Sequence, residues 1–522
     1  MRRLFFSFIP VIMAAVLLTL APAVAQEKTD PVESITIAEM RDHIFYLASD
    51  ALEGRDTASA GYKLAAQYAA SQFHAAGLQP LIGDAEGNKS FLQPVKLMWS
   101  QLAEGTALVV SSDGEERTYG YPEMMVPAGL AQEHADGFND VRPVFLGHGI
   151  EEPDLGWDDF EGLDVEGRIG IMLEGAPLRE GKPVLPEDKH QFYMNIGRSA
   201  NQRLMSVFNH KMAGVIVVLS PQSDALWNII VNQSKGEQMV LAPESGEGGF
   251  ASLPATVIAM RPETMADEIR AMGVDPSTGE GEYRRGEMEG VRLGFKLATE
   301  TRPVECRNVV ALLEGCDPEL KDEYVVVSAH LDHLGVRDNG DIMNGADDNA
   351  SGSAAVIEAA EAAALDPPKR SVIFVLYTAE EKGLLGSRHF VERTGIPPEK
   401  IVLNINADMV GRNSPEFPDS ILVLTSEKRR QELLEMVKKV AKEIGCENLD
   451  LRLHDEDQWS HGIRSDQSCF EQKDIPYVLV TRGFMQPDYH RPSDDPETIN
   501  YEKVAWSSKL MYAMLMAEGN RN

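Results

Sequence analysis

From about position 309 onward, short unbroken apolar runs alternate with longer stretches that repeat their apolar residues every three or four positions. The runs Val309 to Leu313, Val325 to Val327, Val372 to Leu376, Ile401 to Ile405, Ile421 to Leu424 and Val478 to Val480 predict strands buried on both faces. Helical stretches separate several of them, so the expected fold is α/β, a mostly parallel central sheet flanked by helices. Upstream, Thr36 and Glu39 form a capping box, and Ile37, Met40, Ile44 and Leu47 fall on one helical face. A second helix is predicted from about Gly61 to Ala76, with Leu64, Tyr68, Ala69 and Phe73 inward and Gly77 as its stop. Between 138 and 262 the texture changes to short strands and glycine turns, among them Gly167 to Leu173 and Ala213 to Leu219, which predicts a small β-rich insert. His148, Asp158 and Asp159 in it read as isolated surface side chains beside a turn and not as a site. Val291, Leu293, Phe295 and Leu297 then alternate with Arg292, Gly294 and Lys296, as in a half-buried strand.

The first residues add a targeting signal. Arg2 and Arg3 precede an apolar segment through Leu20, and Ala23-Val24-Ala25 stands before Gln26. Residues 1–25 are therefore expected to be a secretory signal peptide of a bacterial protein, periplasmic or secreted. The main domain is expected in two parts, 26–137 and 263–522, around the insert at 138–262. No later run reaches the roughly 18 apolar residues of a membrane span, so no membrane anchor is expected. The net charge of -33, spread along the chain, argues against nucleic acid as a partner. Cys306, Cys316, Cys446 and Cys469 have no CxxC spacing, against a thiolate zinc knuckle; their pairing is open between disulfides and free thiols.

The chemistry gathers at strand ends. His330, Asp332 and His333 follow one buried run, Asp347 and Asp348 open the next helix, Glu380 and Glu381 follow another run, and Asp408 another. A late loop holds Asp488-Tyr489-His490-Arg491-Pro492. An open α/β sheet builds its ligand crevice at that edge. His330, Asp347, Glu381, Asp408 and His490 offer two imidazoles and three carboxylates, too many for one tetrahedral zinc with an open position. Two metal ions sharing a bridging carboxylate fit better, and Glu380 is left over.

These motifs resemble the co-catalytic di-zinc aminopeptidases, family twenty-eight of the metallopeptidases. The resemblance rests on His-Leu-Asp-His at 330–333, Asn-Gly-Ala-Asp-Asp-Asn-Ala-Ser-Gly at 344–352, Ala-Glu-Glu-Lys-Gly-Leu-Leu-Gly-Ser at 379–387, Asn-Ala-Asp-Met at 406–409 and Asp-Tyr-His-Arg-Pro-Ser-Asp at 488–494. It extends to Leu-Glu-Gly-Arg at 52–55 and to the insert, which is similar to a protease-associated domain. It implies an exported enzyme that removes N-terminal residues from peptide substrates with two Zn²⁺ ions. Asp347 would bridge, with a cis bond to Asp348; Glu381 and His490 would complete one site, His330 and Asp408 the other. Asp332 would orient His330, and Glu380 would act as general base on a zinc-activated water. Tyr489, Arg491 and Gln467 are candidate substrate contacts; Gln467 stands where relatives more often carry His. The alternatives are a carboxypeptidase or a glutaminyl-cyclase-like enzyme on the same scaffold, or a catalytically silent receptor-like protein. The intact ligand set and Glu380 argue against the last two. Side-chain preference and oligomeric state stay open.

Overall fold

A computed structural model describes residues 30–83, 87–131, 137–235, 238–242, 252–253, 255–413, 421–446, 449–453, 465–481 and 487–522. The expected signal peptide lies outside them. Helix α1 (Ile37–Leu47) starts where Thr36 caps it: Thr36 Oγ1 accepts from Glu39 N–H and donates to the Glu39 carboxylate. Helix α2 (Ala60–Ala75) follows. Met40, Ile44 and Leu47 are buried as expected, but Ile37 and Leu64 face solvent, 50% and 47% exposed. The buried stripe of α2 instead runs through Gly61, Tyr62, Ala65, Ala66, Ala69 and Phe73, because Tyr62 reaches inward to donate to Arg307 O and Gly61 lies against the backbone of Leu52.

Strand β1 (Leu92–Leu102) then leads into a long excursion. Within it come β2 (Val144–Phe145) and then β3 (Ile169–Leu173) and β4 (Gly214–Val218), which fall on the two runs named for the insert; β5 (Gln238–Leu241) and β6 (Thr256–Met260) follow. The chain returns on β7 (Thr299–Leu313), whose Thr299 pairs with Leu102, so the excursion leaves and re-enters on neighbouring strands. The expected bounds of 138 and 262 both fall inside it. A four-stranded sheet that includes Ala107–Ser112 and Val291–Lys296 belongs to the excursion as well, and β2, β3, β4 and β6 run parallel. Asp159 is not at the surface. It is buried, accepting from His148 N–H, Ile150 N–H and the Tyr283 hydroxyl.

After β7 come β8 (Tyr324–His330), α3 (Gly352–Leu365), β9 (Ser371–Tyr377), α4 (Leu385–Arg393), β10 (Ile401–Asp408), β11 (Ile421–Thr425), α5 (Arg430–Glu443), β12 (Leu449–Leu453), β13 (Tyr477–Thr481) and α6 (Tyr501–Gly519). The main sheet runs β5-β1-β7-β9-β8-β10-β13-β11-β12. Among described residues, parallel pairing joins β9, β8, β10 and β13 at its centre, and β11 to β12; the flank from β5 to β9 is antiparallel, an edge the apolar runs did not reveal. Val325 and Val327 pack into the core on one face of the sheet while Val326 packs into the core on the other. Each such buried side chain contributes roughly 1.5–3 kcal/mol. That double cover fixes the strand ends as a rigid rim. No helix among the described residues is long and apolar enough to cross a membrane.

Candidate metal centre

The four central parallel strands empty their polar ends toward one place. β8 delivers His330, Asp332 and His333, all buried; β9 delivers Glu380 and Glu381; β10 ends on Asp408. The turn at 346–351 supplies Asp348, and the loop after β13 supplies His490. His330 Nε2 lies 3.3 Å from Asp348 Oδ1 and 3.5 Å from Asp408 Oδ1. His490 Nε2 lies 3.2 Å from the other oxygen of Asp348 and 3.3 Å from Glu381 Oε2. Two imidazoles thus face opposite oxygens of one carboxylate, each with a second carboxylate beside it.

The carboxylate between them is Asp348, not the expected Asp347. Asp347 Oδ1 accepts from Gly411 N–H at 2.7 Å and from the Ser351 hydroxyl at 3.3 Å, so that oxygen ties the turn to the loop after β10. The cis bond is likewise one residue later, between Asp348 and Asn349. Asp494 holds the turn from the far side, its two oxygens accepting from Asp347 N–H and Asp348 N–H at 2.9 and 3.0 Å. Asn349 pins it to β10 and its loop, donating to Ala407 O and accepting from Met409 N–H. Gly345 enters the turn at φ 60°, where a Cβ would stand 2.2 Å from Asp348 O.

Asp332 also differs from its expected task. His330 Nδ1 donates to the backbone oxygen of Asp332, while the Asp332 carboxylate accepts from Glu380 N–H at 3.1 Å and from the Thr57 hydroxyl at 3.0 Å. The side chain therefore positions Glu380. Thr57 follows the Leu-Glu-Gly-Arg motif at 52–55, to which the sequence alone assigned no task. Its neighbour Arg55 is fully buried and donates to the carbonyls of Leu47, Leu331, Asn344 and Gly345, stitching the β8 loop to the Asp348 turn. Nothing in the local spacing of 52–57 signals this, because all but one of these partners lie more than 270 residues away. Of the candidate substrate contacts, Tyr489 stacks on His490 at 3.7 Å between centroids. Arg491 is exposed, and its backbone closes the turn onto Asp488 and Asp494. Gln467 is buried and accepts from Asn406 beneath the rim, so it supports β10. No disulfide joins the four cysteines; Cys306, Cys446 and Cys469 are buried and Cys316 is exposed.

Electrostatics separate the carboxyls into two kinds. Burial raises Asp348, but His333, His330 and His490 outweigh it and hold the carboxyl well below its ordinary range. Glu380 goes the other way: burial, joined by repulsion from Asp466, Asp408 and Glu381, pushes it well above, against the pull of His330. Burial also raises Asp332 to about 6. The two carboxyls are thus pushed in opposite directions, Asp348 toward its anion and Glu380 toward its protonated form, a separation of the kind acid-base chemistry uses. The set fits metal cations on a further observation: among the described residues, Asp408 Oδ1 and His490 Nε2 are buried with an ion-pair contact but no hydrogen bond. Unpaired buried polar atoms are costly unless something else satisfies them. Imidazole nitrogen with carboxylate oxygen is a donor set suited to zinc.

Comparison with known proteins gives the same direction. Residues 308–515 match the profile described as Peptidase family M28. An aminopeptidase of Bacillus subtilis, YwaD, is 29% identical over 197 residues, 37% of this chain and 40% of that protein. An aminopeptidase of Pseudomonas aeruginosa is 38% identical over 205 residues, 37% of this chain and 31% of its own length. A glutamate carboxypeptidase 2 homolog of Caenorhabditis elegans is 30% identical over 363 residues, 62% of this chain and 43% of its own length. The chain thus spans less than half the length of these curated relatives. An aminopeptidase from Aneurinibacillus sp. strain AM-1 shares the fold at a TM-score of 0.52 and 16% identity, across 94% of this chain and 96% of its own.

Proposed function

We propose that this chain, whose residues 308–515 match peptidase family M28, is a zinc-dependent aminopeptidase that hydrolyses the first bond of peptides. The observation that carries the reading is the single carboxylate of Asp348 shared between His330 and His490. One zinc would be held by His330, Asp408 and Asp348, the other by His490, Glu381 and Asp348. When bound, such ions polarise a carbonyl and lower the pKa of water to about 7. Glu380 supplies the proton transfer. Its carboxylate takes a proton from the attacking water, and its buried, anion-crowded surroundings hold that proton until the leaving amine accepts it. Asp332 keeps Glu380 in place through the N–H of its backbone. The apolar segment of residues 1–25 supports export from a bacterial cell. The names of the Bacillus and Pseudomonas relatives support aminopeptidase chemistry; the Caenorhabditis relative keeps a carboxypeptidase as the second reading.

The test is a panel of aminoacyl nitroanilides, each with a free and an acetylated N-terminus, alongside peptides with a free C-terminus. Chelator-sensitive cleavage of the free-amine forms alone is expected. Cleavage only from the carboxyl end would replace this reading with the second.

Zinc uptake should depend on pH. Both imidazoles must be unprotonated to bind a cation, yet although burial pulls them down, neighbouring carboxylates hold His490 up to about 9 and His330 well above its ordinary value. Zinc affinity of chelator-stripped protein should therefore climb between about pH 6 and 9 with proton release on binding, followed by calorimetry in buffers of different ionisation enthalpy. A flat profile would contradict the pairing. In the stripped protein the same raised pKa values stabilise the fold below about 6.5, a contribution lost as pH rises through about 9.

A further inference from the structure

His333 is buried in the middle of the centre, yet it has no part in the ligand set above. Its Nδ1 lies 2.8 Å from Glu381 Oε1 and 3.8 Å from Asp348 Oδ2, within hydrogen-bond reach of the first and beyond it for the second. A carboxylate only accepts, so Nδ1 carries the hydrogen and donates it to Glu381. The other nitrogen, Nε2, is buried with no hydrogen-bond partner among the described residues, which leaves the Glu381 bond as the one the ring makes there. The ring is seated with care: its backbone N–H donates to Arg55 O, and a Cβ on Gly345 would stand 2.5 Å from its Cδ2. Glu381 meanwhile turns its second oxygen, Oε2, toward His490.

We infer that His333 is a positioning residue for the second metal: by engaging Oε1 of Glu381 it leaves Oε2 as the oxygen presented between His490 and Asp348. This rests on the two-zinc reading. Removing such an outer partner typically costs about 10–100-fold in metal affinity. An Asn side chain can place an amide N–H near the position of Nδ1, and Ala cannot.

The test is zinc titration of the whole chain against a chromophoric chelator, without substrate, for the wild type, His333→Ala, His333→Asn and His490→Ala, with thermal unfolding of the stripped proteins beside it. The expected result is that His333→Ala weakens the second zinc about 10–100-fold, leaves the first unchanged, and is restored to within a few-fold by His333→Asn. Wild-type affinities in His333→Ala would overturn the inference. Loss of the second ion as complete as in His490→Ala would overturn it too, by making His333 a direct ligand. Parallel weakening of both ions and of the fold in the Ala and Asn variants would reduce it to packing. A wild-type protein that binds fewer than two zinc ions overturns this inference and the two-zinc reading together, whereas two ions without peptidase activity overturn only the proposed function.

Discussion

Glu380→Gln is expected to lose about two to four orders of magnitude in kcat while keeping both zinc ions. The proposed ligand set leaves out Glu380, which lies beside His330 and Asp408: burial and repulsion from Asp466, Asp408 and Glu381 push its carboxyl toward the protonated form, against the pull of His330. The amide of Gln preserves shape and hydrogen bonding but cannot take a proton. The Asp332 bond to the backbone N–H of residue 380 is untouched by the substitution, so the loop should stay where it is. Elemental analysis of the purified variant beside steady-state kinetics reads both quantities at once. Equal loss of metal and activity would show that Glu380 binds an ion, and the base would have to be sought elsewhere.

The second large effect separates two adjacent acids. Asp348→Ala removes the carboxylate shared by His330 and His490, and it should abolish tight binding of both ions and with it all activity above background. Asp347→Asn should do something different. An amide oxygen can still accept from Gly411 N–H and Ser351, so at most one or two hydrogen bonds weaken, a loss of about 1–3 kcal/mol in stability with zinc retained. Zinc content and thermal unfolding of the two variants decide the matter. If Asp347→Asn lost zinc and Asp348→Ala kept it, the bridge would have been assigned to the wrong residue.

That pair also shows where the sequence stops being legible. His330, Glu381, Asp408 and His490 stand out because each follows a buried apolar run, and a parallel sheet brings such ends to one rim. Asp347 and Asp348 are chemically identical neighbours. Which one faces the histidines depends on the backbone through Gly345 and on Asp494, a residue 146 positions away along the chain. Asp332 was legible as a supporting residue, but its choice of Glu380 over His330 turns on a carbonyl and a threonine hydroxyl that no spacing encodes. Arg55 was visible as part of the Leu-Glu-Gly-Arg motif, but its task was not legible for the same reason, since its acceptors are mostly backbone atoms of distant loops. The six buried strands were legible from composition alone. The extent of the excursion was not, because its ends are set by the pairing of β1 with β7, fixed only when the strands meet.

The proposed two-metal centre, with Asp348 as its bridge, is tested most directly by crystals of the zinc-loaded protein measured on both sides of the zinc absorption edge. Two anomalous peaks are predicted on either side of the Asp348 carboxylate, one beside His330 and Asp408, the other beside His490 and Glu381. A single peak, or peaks against Asp347, would contradict it.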